Sequence, residues 1–246
     1  SFIFIKIVNN NLMRIPMIYF PEELKPNSLI NLPLNASNHL KVLKKNKGDK
    51  VEVFNGKGTI SLGFLEDLKR NRISLRLEDN IIQEKPLIPK INLGVSNIKN
   101  FDKVVKDSSQ LGVSALASLI TERTKIRDTK KDKFKRGQLI SASSSEQSGL
   151  KWLPKSSQNN LKDWIGESKS KNRFFLDPKA DLYIGDIKRF STLDIAIGPE
   201  GGFSTKEEDL FKKYNFTGVN CGNLVIKTES MPIVVLSMLK VISEAN

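Results

Sequence analysis

The sequence predicts an α/β protein in two parts, a small β-barrel over residues 13–82 and a parallel-sheet domain over residues 86–246. Three observations carry this reading. Short alternating segments bounded by turn residues fill the first third of the chain. Two prolines in IIQEKPLIPK (Ile81–Lys90) then interrupt the pattern and mark a linker. Beyond them strand-like and helix-like stretches alternate, which implies a parallel sheet covered on both faces. A chain of 246 residues is ample for such a core.

The elements follow in order. NASNHLKVLK (Asn35–Lys44) reads as a short helix with Leu40 and Leu43 inward and Lys41, Lys44 and Lys45 outward. Val51–Phe54 is a strand between Gly-Asp and Asn-Gly turn signals. RISLRLED (Arg72–Asp79) alternates Ile73, Leu75 and Leu77 with polar residues, a half-buried strand. In the second part, Ile91–Ser96, Ser114–Ile120, Arg173–Asp177, Leu193–Gly198 and Gly218–Gly222 read as strands. Phe101–Gly112 is a helix ending in glycine, and a basic helix lies within Lys130–Ser148, with the Ser-rich Ser141–Ser148 as its packed end. PIVVLSMLKVI (Pro232–Ile242) is apolar nearly all round, as expected of a closing helix buried on more than one side, in a core or at a subunit interface.

The stretch IGPEGGFSTKEEDL (Ile197–Leu210) concentrates the functional signal. Ser204 and Glu207 have the spacing of a capping box, so GPEGGF is a strand-to-helix loop at the carboxyl edge of the sheet, where such folds bind ligands. Its glycines allow positive φ or a close approach of backbone to a ligand. The loop matches neither GxxxxGK[ST] nor GxGxxG. Pro199 offers no N–H, and Glu200 sets a carboxylate where a phosphate would sit, so a neutral or cationic ligand suits it better. A tight structural turn is the competing explanation. NCGNLVIKTES (Asn220–Ser230) is a second glycine-bearing loop after the next strand. Strands that neighbour in sequence usually neighbour in space, so the two loops are expected to share one pocket.

Composition narrows the classes. The formal net charge of +13 points to a polyanionic partner, above all nucleic acid, although a Lys-, Asn- and Ile-rich composition can also arise from genome bias. One group of cations is Lys41, Lys44, Lys45 and Lys47; another runs from Arg123 through Lys125, Arg127, Lys130, Lys131, Lys133 and Lys135 to Arg136. A single cysteine, Cys221, and a single histidine, His39, exclude an internal disulfide and a Cys/His metal site, so no metal is expected and a reducing, cytoplasmic compartment fits. No apolar run approaches the ~18 residues of a membrane span. The opening SFIFIKIVNNNL is too short and too weakly basic for a secretory signal, and Met13 begins the domain.

At these motifs the chain resembles the RsmE family, SPOUT-superfamily methyltransferases of uridine N3 in small-subunit ribosomal RNA. IGPEGGFS and CGNLVIKTES are similar to the family's paired cofactor loops. MRIPMIYF, HLKVLKKNKGDKVEVFNGKG, SQLGVSALASLITERT and SSEQSG extend the resemblance over most of the chain from Met13. The resemblance implies a PUA-like barrel over residues 13–82 and a SPOUT domain with a C-terminal trefoil knot over residues 86–246. It implies bound S-adenosylmethionine, a homodimer through the C-terminal domain, and ribosomal RNA or the small subunit as partner. Carried over by position, Ile197, Gly198, Pro199, Glu200, Gly201, Gly202, Cys221, Gly222, Leu224, Val225 and Ile226 hold the cofactor. Beside the resemblance, the basic character of the chain puts Arg14, His39, Lys41, Lys44, Lys45 and Arg123 at the RNA, with packing in the barrel the competing role for His39. Lys227 and Glu229, at the end of the second loop, are expected to face the target base, with a carboxylate favourable at a helix N-terminus the competing role for Glu229.

The chain departs from the family pattern at polar positions. Leu224 and Lys227 replace two arginines, Gln110 a glutamate, Asp107 a lysine and Leu150 an arginine, and Asn97 stands where a basic residue is expected. Arginine and lysine are not equivalent where a planar fork contacts phosphate or a base. Two functions therefore compete: an active uridine methyltransferase, and a catalytically weakened relative that grips RNA in ribosome assembly.

Overall fold

The computed structural model describes residues 15–33, 36, 40, 45–69, 72–124, 131–224 and 226–244, apart from the side chains of residues 72 and 131–134. They form two compact units. One holds the described residues up to Asn55 together with Thr59–Glu84, the other Gly56–Gly58 and the chain from Lys85 on.

The first unit is one sheet of β1 (Met17–Tyr19), β2 (Leu29–Asn31), β3 (Lys50–Phe54), β4 (Thr59–Lys69) and β5 (Arg72–Gln83). Its order is β1-β3-β4-β5-β2, antiparallel except where β1 runs parallel to β3. The alternation read in RISLRLED is realised: Ile73, Leu75 and Leu77 are buried with Val51, Val53 and Leu65. Of the expected helix Asn35–Lys44, Ala36 and Leu40 are helical and buried, four residues apart on one face; its other residues, His39, Lys41 and Lys44 among them, lie outside the described residues, as does Arg14.

The second unit is built on β6 (Lys90–Ser96), β7 (Ala115–Ile120), β8 (Lys155–Asn160), β9 (Asn172–Leu176), β10 (Thr192–Ile197) and β11 (Thr217–Val219). All neighbours are parallel, in the order β11-β9-β10-β6-β7-β8. Three helices cover one face: α1 (Phe101–Gln110), α2 (Lys131–Ser148) and α5 (Met231–Glu244). There Val104, Val105, Val235, Leu236 and Leu239 bury against Ile91, Leu93, Val95 and Ile195. On the other face lie α3 (Leu161–Gly166) and α4 (Thr205–Lys213), around an aromatic cluster in which Phe211 stacks on Phe175 at 4.5 Å between ring centroids. The Ser-rich stretch is the second half of α2; Ser141, Ser144 and Ser145 are buried, and the Ser109 hydroxyl of α1 donates to Ser141 Oγ at 3.0 Å.

One expectation is corrected, and one strand is absent from the sequence reading. The strands ending at Ile197 and Val219 are not neighbours, because β9 lies between them. The chain returns across the sheet through β9 before β10 is laid down, so adjacency in sequence is not kept. And KSSQNN, which has no apolar residue, is the edge strand β8. An edge strand is paired on one side only, and its backbone hydrogen bonds to β7 hold it without an apolar pattern. From β6 the sheet grows one way through β7 and β8 and the other way through β10, β9 and β11. The carboxyl ends of β6 and β10 thus flank the topological switch point, where ligands bind in doubly wound sheets.

Candidate functional site

The loop after β10 is a tight turn. The Gly202 N–H donates to the Pro199 carbonyl at 2.8 Å, and Gly202 has φ +69°. Positive φ is costly for any residue with a Cβ. A Cβ on Gly198 would sit 3.3 Å from both the Gly202 carbonyl carbon and the Phe203 ring, so glycine is needed there for space. Phe203 is buried against Phe175 and Phe211 and anchors the end of the loop in the aromatic cluster. The next residue, Ser204, caps α4. Its hydroxyl accepts the Glu207 N–H at 3.2 Å, and Glu207 Oε2 accepts the Ser204 N–H at 2.8 Å, completing the predicted box.

The loop is also clamped from the turn after β7. Glu207 is buried, and its second oxygen accepts the Glu122 N–H at 2.8 Å. In return the Arg123 guanidinium donates to the Gly201 carbonyl and, at 3.1 Å, to that of Phe203. A carboxylate bonded to two backbone amides and a cation bonded to two backbone carbonyls cross between the same two segments. Arg123, expected at the RNA, is engaged with the glycine loop. Gly201, expected at the cofactor, carries the carbonyl that Arg123 holds.

The second loop leaves β11 at Asn220. The Asn220 side chain donates to the carbonyls of Ala180 and Leu182 at 2.7 and 3.2 Å, and its oxygen accepts the Gly222 N–H at 3.0 Å. Gly222, at φ +101°, turns the chain back toward the start of α5, where the Lys227 carbonyl accepts the N–H groups of Ser230 and Met231.

These loops, together with Asp177 and Pro178 after β9, line one cavity of about 380 Å³, within the usual range for small-molecule sites. Nine of the expected cofactor residues line it: Ile197 to Glu200, Gly202, Cys221, Gly222, Leu224 and Ile226. Val225 lies outside the described residues, and Gly201, Lys227 and Glu229 stand outside the lining. Ile226 and Thr228, the sequence neighbours of the last two, do line it. Lys227 is exposed, and Glu229 Oε1 accepts from the Asn100 side chain, before α1, at 3.3 Å.

The sequence reading missed Asp177 and Pro178; an Asp-Pro pair directly after the strand RFFL is the signal that marks them as an edge turn. The cavity wall contains two carboxylates, Asp177 and Glu200, and no lysine or arginine among its described residues. In a chain of net charge +13 this is an acidic enclave, suited to a ligand carrying positive charge. Burial pushes the Cys221 thiol up to about 11, so it faces the cavity as a neutral group at physiological pH and not as a thiolate nucleophile. Among the described residues no cluster of His, Cys, Asp and Glu could hold a metal ion, and no helix is long and apolar enough to cross a membrane.

Comparison with known proteins bears on this geometry. The family model for the RNA methyltransferase domain matches residues 83–240, and that for the RNA methyltransferase PUA domain matches residues 35–78. Ribosomal RNA small subunit methyltransferase E of Buchnera aphidicola (from Schizaphis graminum) is 24% identical over 93% of this chain and 96% of its own length. The protein of that name from Rickettsia conorii is 25% identical over 94% and 97%. Among solved structures, a methyltransferase of Legionella pneumophila with bound cofactor SAM superposes with a TM-score of 0.83 at 28% identity, covering 92% of this chain and 97% of that one. Ribosomal RNA small subunit methyltransferase E of Neisseria gonorrhoeae bound to S-adenosyl methionine gives 0.81 at 26%, with the same coverage.

The clamp makes a prediction that needs no ligand. Arg123→Ala removes the donors of two loop carbonyls. It should cost about 1 kcal/mol in urea unfolding, small because the arginine is exposed, and should speed hydrogen exchange at the Gly202 amide. Arg123→Lys should fall between, since both bonds come from Nη1 and a shorter lysine side chain does not carry its ammonium to the same place. Unchanged exchange at Gly202 in Arg123→Ala would show that the arginine does not brace the loop.

Proposed function

The chain belongs to the RNA methyltransferase family represented by ribosomal RNA small subunit methyltransferase E, and from that premise we propose that it uses S-adenosylmethionine to methylate N3 of a uridine in small-subunit ribosomal RNA. The observation that carries this is the cavity between the glycine loops, with Asp177 and Glu200 in its wall and no described cation. Bound there, S-adenosylmethionine supplies an electrophilic methyl group on a positively charged sulfur. The residues fit such a group. The two carboxylates face positive charge, the turns at Gly202 and Gly222 bring backbone close, and the neutral Cys221 thiol does not compete for the methyl.

Uracil N3 must lose a proton as it takes up the methyl, and much of the acceleration comes from holding the base in line with the donor. Lys227 and Glu229 border the cavity from outside, on either side of Thr228, where an arriving base would meet them. In this reading Lys227 stabilises negative charge on a uracil carbonyl oxygen, and Glu229, held by Asn100, orients the lysine or accepts the N3 proton. RNA phosphates would contact the basic residues of both units, Lys45 and Lys135 among those described, with the salt dependence that counterion release requires. The trefoil knot implied by the family resemblance belongs to the same reading.

The changed polar positions favour one rival, an RNA-binding protein with weakened catalysis. Several of these positions have local partners: Asp107 pairs with Lys103, and Gln110 donates to Gln147 at 3.4 Å. Single-turnover methylation of small ribosomal subunits, with the product mapped by mass spectrometry, separates the two. Wild-type protein should yield 3-methyluridine. Glu229→Gln, which keeps an oxygen for Asn100, and Lys227→Ala should each lower turnover by roughly a hundredfold while cofactor affinity holds. Absence of methyluridine with wild-type protein favours the binding protein, and full turnover in both variants removes the two residues from the chemistry.

The homodimer is part of the proposal. On α5, Ile233 and Val241 are 40% and 68% exposed, eight residues apart on one side of a helix whose other side is core. A second copy covering that side would bury both. Sedimentation equilibrium should give twice the chain mass for wild type and a shift toward monomer for the double variant Ile233→Glu, Val241→Glu. A wild-type monomer at micromolar concentration would contradict it.

A further inference from the structure

A second cavity, of about 310 Å³, opens beside the switch point on the α1–α2 face of the sheet, and it shares no lining residue with the first. Its floor is a row of same-face side chains on β7 and β8, where Leu116 is paired with Ser156 and Ser118 with Gln158. Elsewhere on this face the strands offer apolar side chains, such as Leu93, Val95 and Ile195. Here hydroxyl and amide groups lie at the bottom of the cavity, with buried Asn97 beside them. Phe101 and Val105 of α1 form an apolar wall. Lys99 and Arg136 add positive charge at the exposed mouth, the latter paired with Asp102.

The opposite wall contains Gly137, in the first half of α2. A glycine inside a helix sacrifices stability relative to alanine, so its presence asks for a reason. Gly137 is buried, yet a Cβ placed on it would meet, among the described residues beyond its own turn of helix, no atom within 4 Å. The space it faces is the cavity itself. The absent side chain leaves room, although no neighbouring atom of the described residues requires the room.

From this arrangement we infer that the second cavity holds a nucleotide flanking the methylated one on the RNA strand. Hydroxyl and amide groups at the floor suit the donor and acceptor edge of a base, the apolar wall suits its face, and the cations at the mouth suit its phosphate. A methyl group moves only between atoms about 3 to 3.5 Å apart, so the acceptor base must reach the donor cavity. A base in the separate second cavity is therefore a neighbour of the acceptor, read for its identity. The two sites are joined, since Asn100, in the loop between Asn97 and Asp102, holds Glu229 beside the donor cavity. The inference rests on the RNA-methylation reading and adds to it a determinant of which uridine is chosen.

Two variants fill the space from opposite walls, Gly137→Leu from the helix and Ser156→Leu from the exposed floor strand. Each should lower kcat/KM for small-subunit RNA by about tenfold or more, with S-adenosylmethionine affinity within about twofold and melting temperature unchanged or raised. Gly137→Ala should stay within about threefold of wild type. Independently, the four nucleoside 5′-monophosphates are titrated onto wild-type protein and followed by NMR. At least one should shift the signals of Asn97, Ser118 and Gln158, and Gly137→Leu or Ser156→Leu should abolish those shifts. Wild-type efficiency in both leucine variants, or no monophosphate shifting these residues, overturns the inference. Should wild-type protein methylate no small-subunit RNA, the functional reading fails while the titration still decides the cavity.

Discussion

A buried carboxylate, Glu207, fixes the geometry on which the glycine-loop cavity depends. One of its oxygens closes the first turn of α4 and the other holds the amide of Glu122, so the helix start and the turn after β7 cannot separate without taking a partner from one oxygen of a buried carboxylate. Losing a partner of a buried charge is far more costly than losing a surface contact. Arg123 reaches back across the same gap to the Gly201 and Phe203 carbonyls. The glycine turn is thereby held at both ends: by Phe203 in the aromatic cluster and by two crossed polar contacts to a neighbouring loop. Its glycines give it the freedom to take this shape, and its neighbours remove that freedom again. A ligand arriving at a loop already ordered meets a smaller entropic cost.

Charge divides the molecule in the same spirit. The chain is strongly basic, yet the wall of the glycine-loop cavity has two carboxylates and no described cation, while Lys99 and Arg136 stand at the second cavity. In the proposed reading a positively charged small molecule and a polyanion would meet separate cavities of one sheet without competing. The division follows the switch point: to one side of β6, β7 and β8 carry Ser118, Ser156 and Gln158 along their α1–α2 face, and to the other side β10 and β11 end in the glycine loops.

Features set by local chemistry were legible in the sequence. Ser204 and Glu207 announce a capping box by spacing alone, Gly-Pro-Glu-Gly-Gly announces a turn, and the 3.6- and 2-residue periods place most helices and strands. Features set by tertiary context were not. KSSQNN becomes β8 through backbone pairing at an edge, which no apolar pattern reports. The insertion of β9 between β10 and β11 depends on the order in which the sheet is built, and it brings Asp177 and Pro178 into the cavity. Arg123 reads as one cation in a basic run, and only the fold shows its guanidinium on the glycine loop. The same holds for Lys227 and Glu229: their place at the end of the second loop was clear, but that Ile226 and Thr228 line the cavity in their stead was not.

The most direct measurement is isothermal titration of S-adenosylmethionine onto the intact protein and onto Gly198→Val. Glycine at this position leaves the space that Gly202 and Phe203 occupy at 3.3 Å from a Cβ, so a branched side chain must displace the turn. Saturable binding of one S-adenosylmethionine per chain in wild type, lost in Gly198→Val while circular dichroism shows the fold retained, is the predicted result. No binding to wild type, or equal affinity in the two, would contradict the assignment of the glycine-loop cavity as the methyl-donor site.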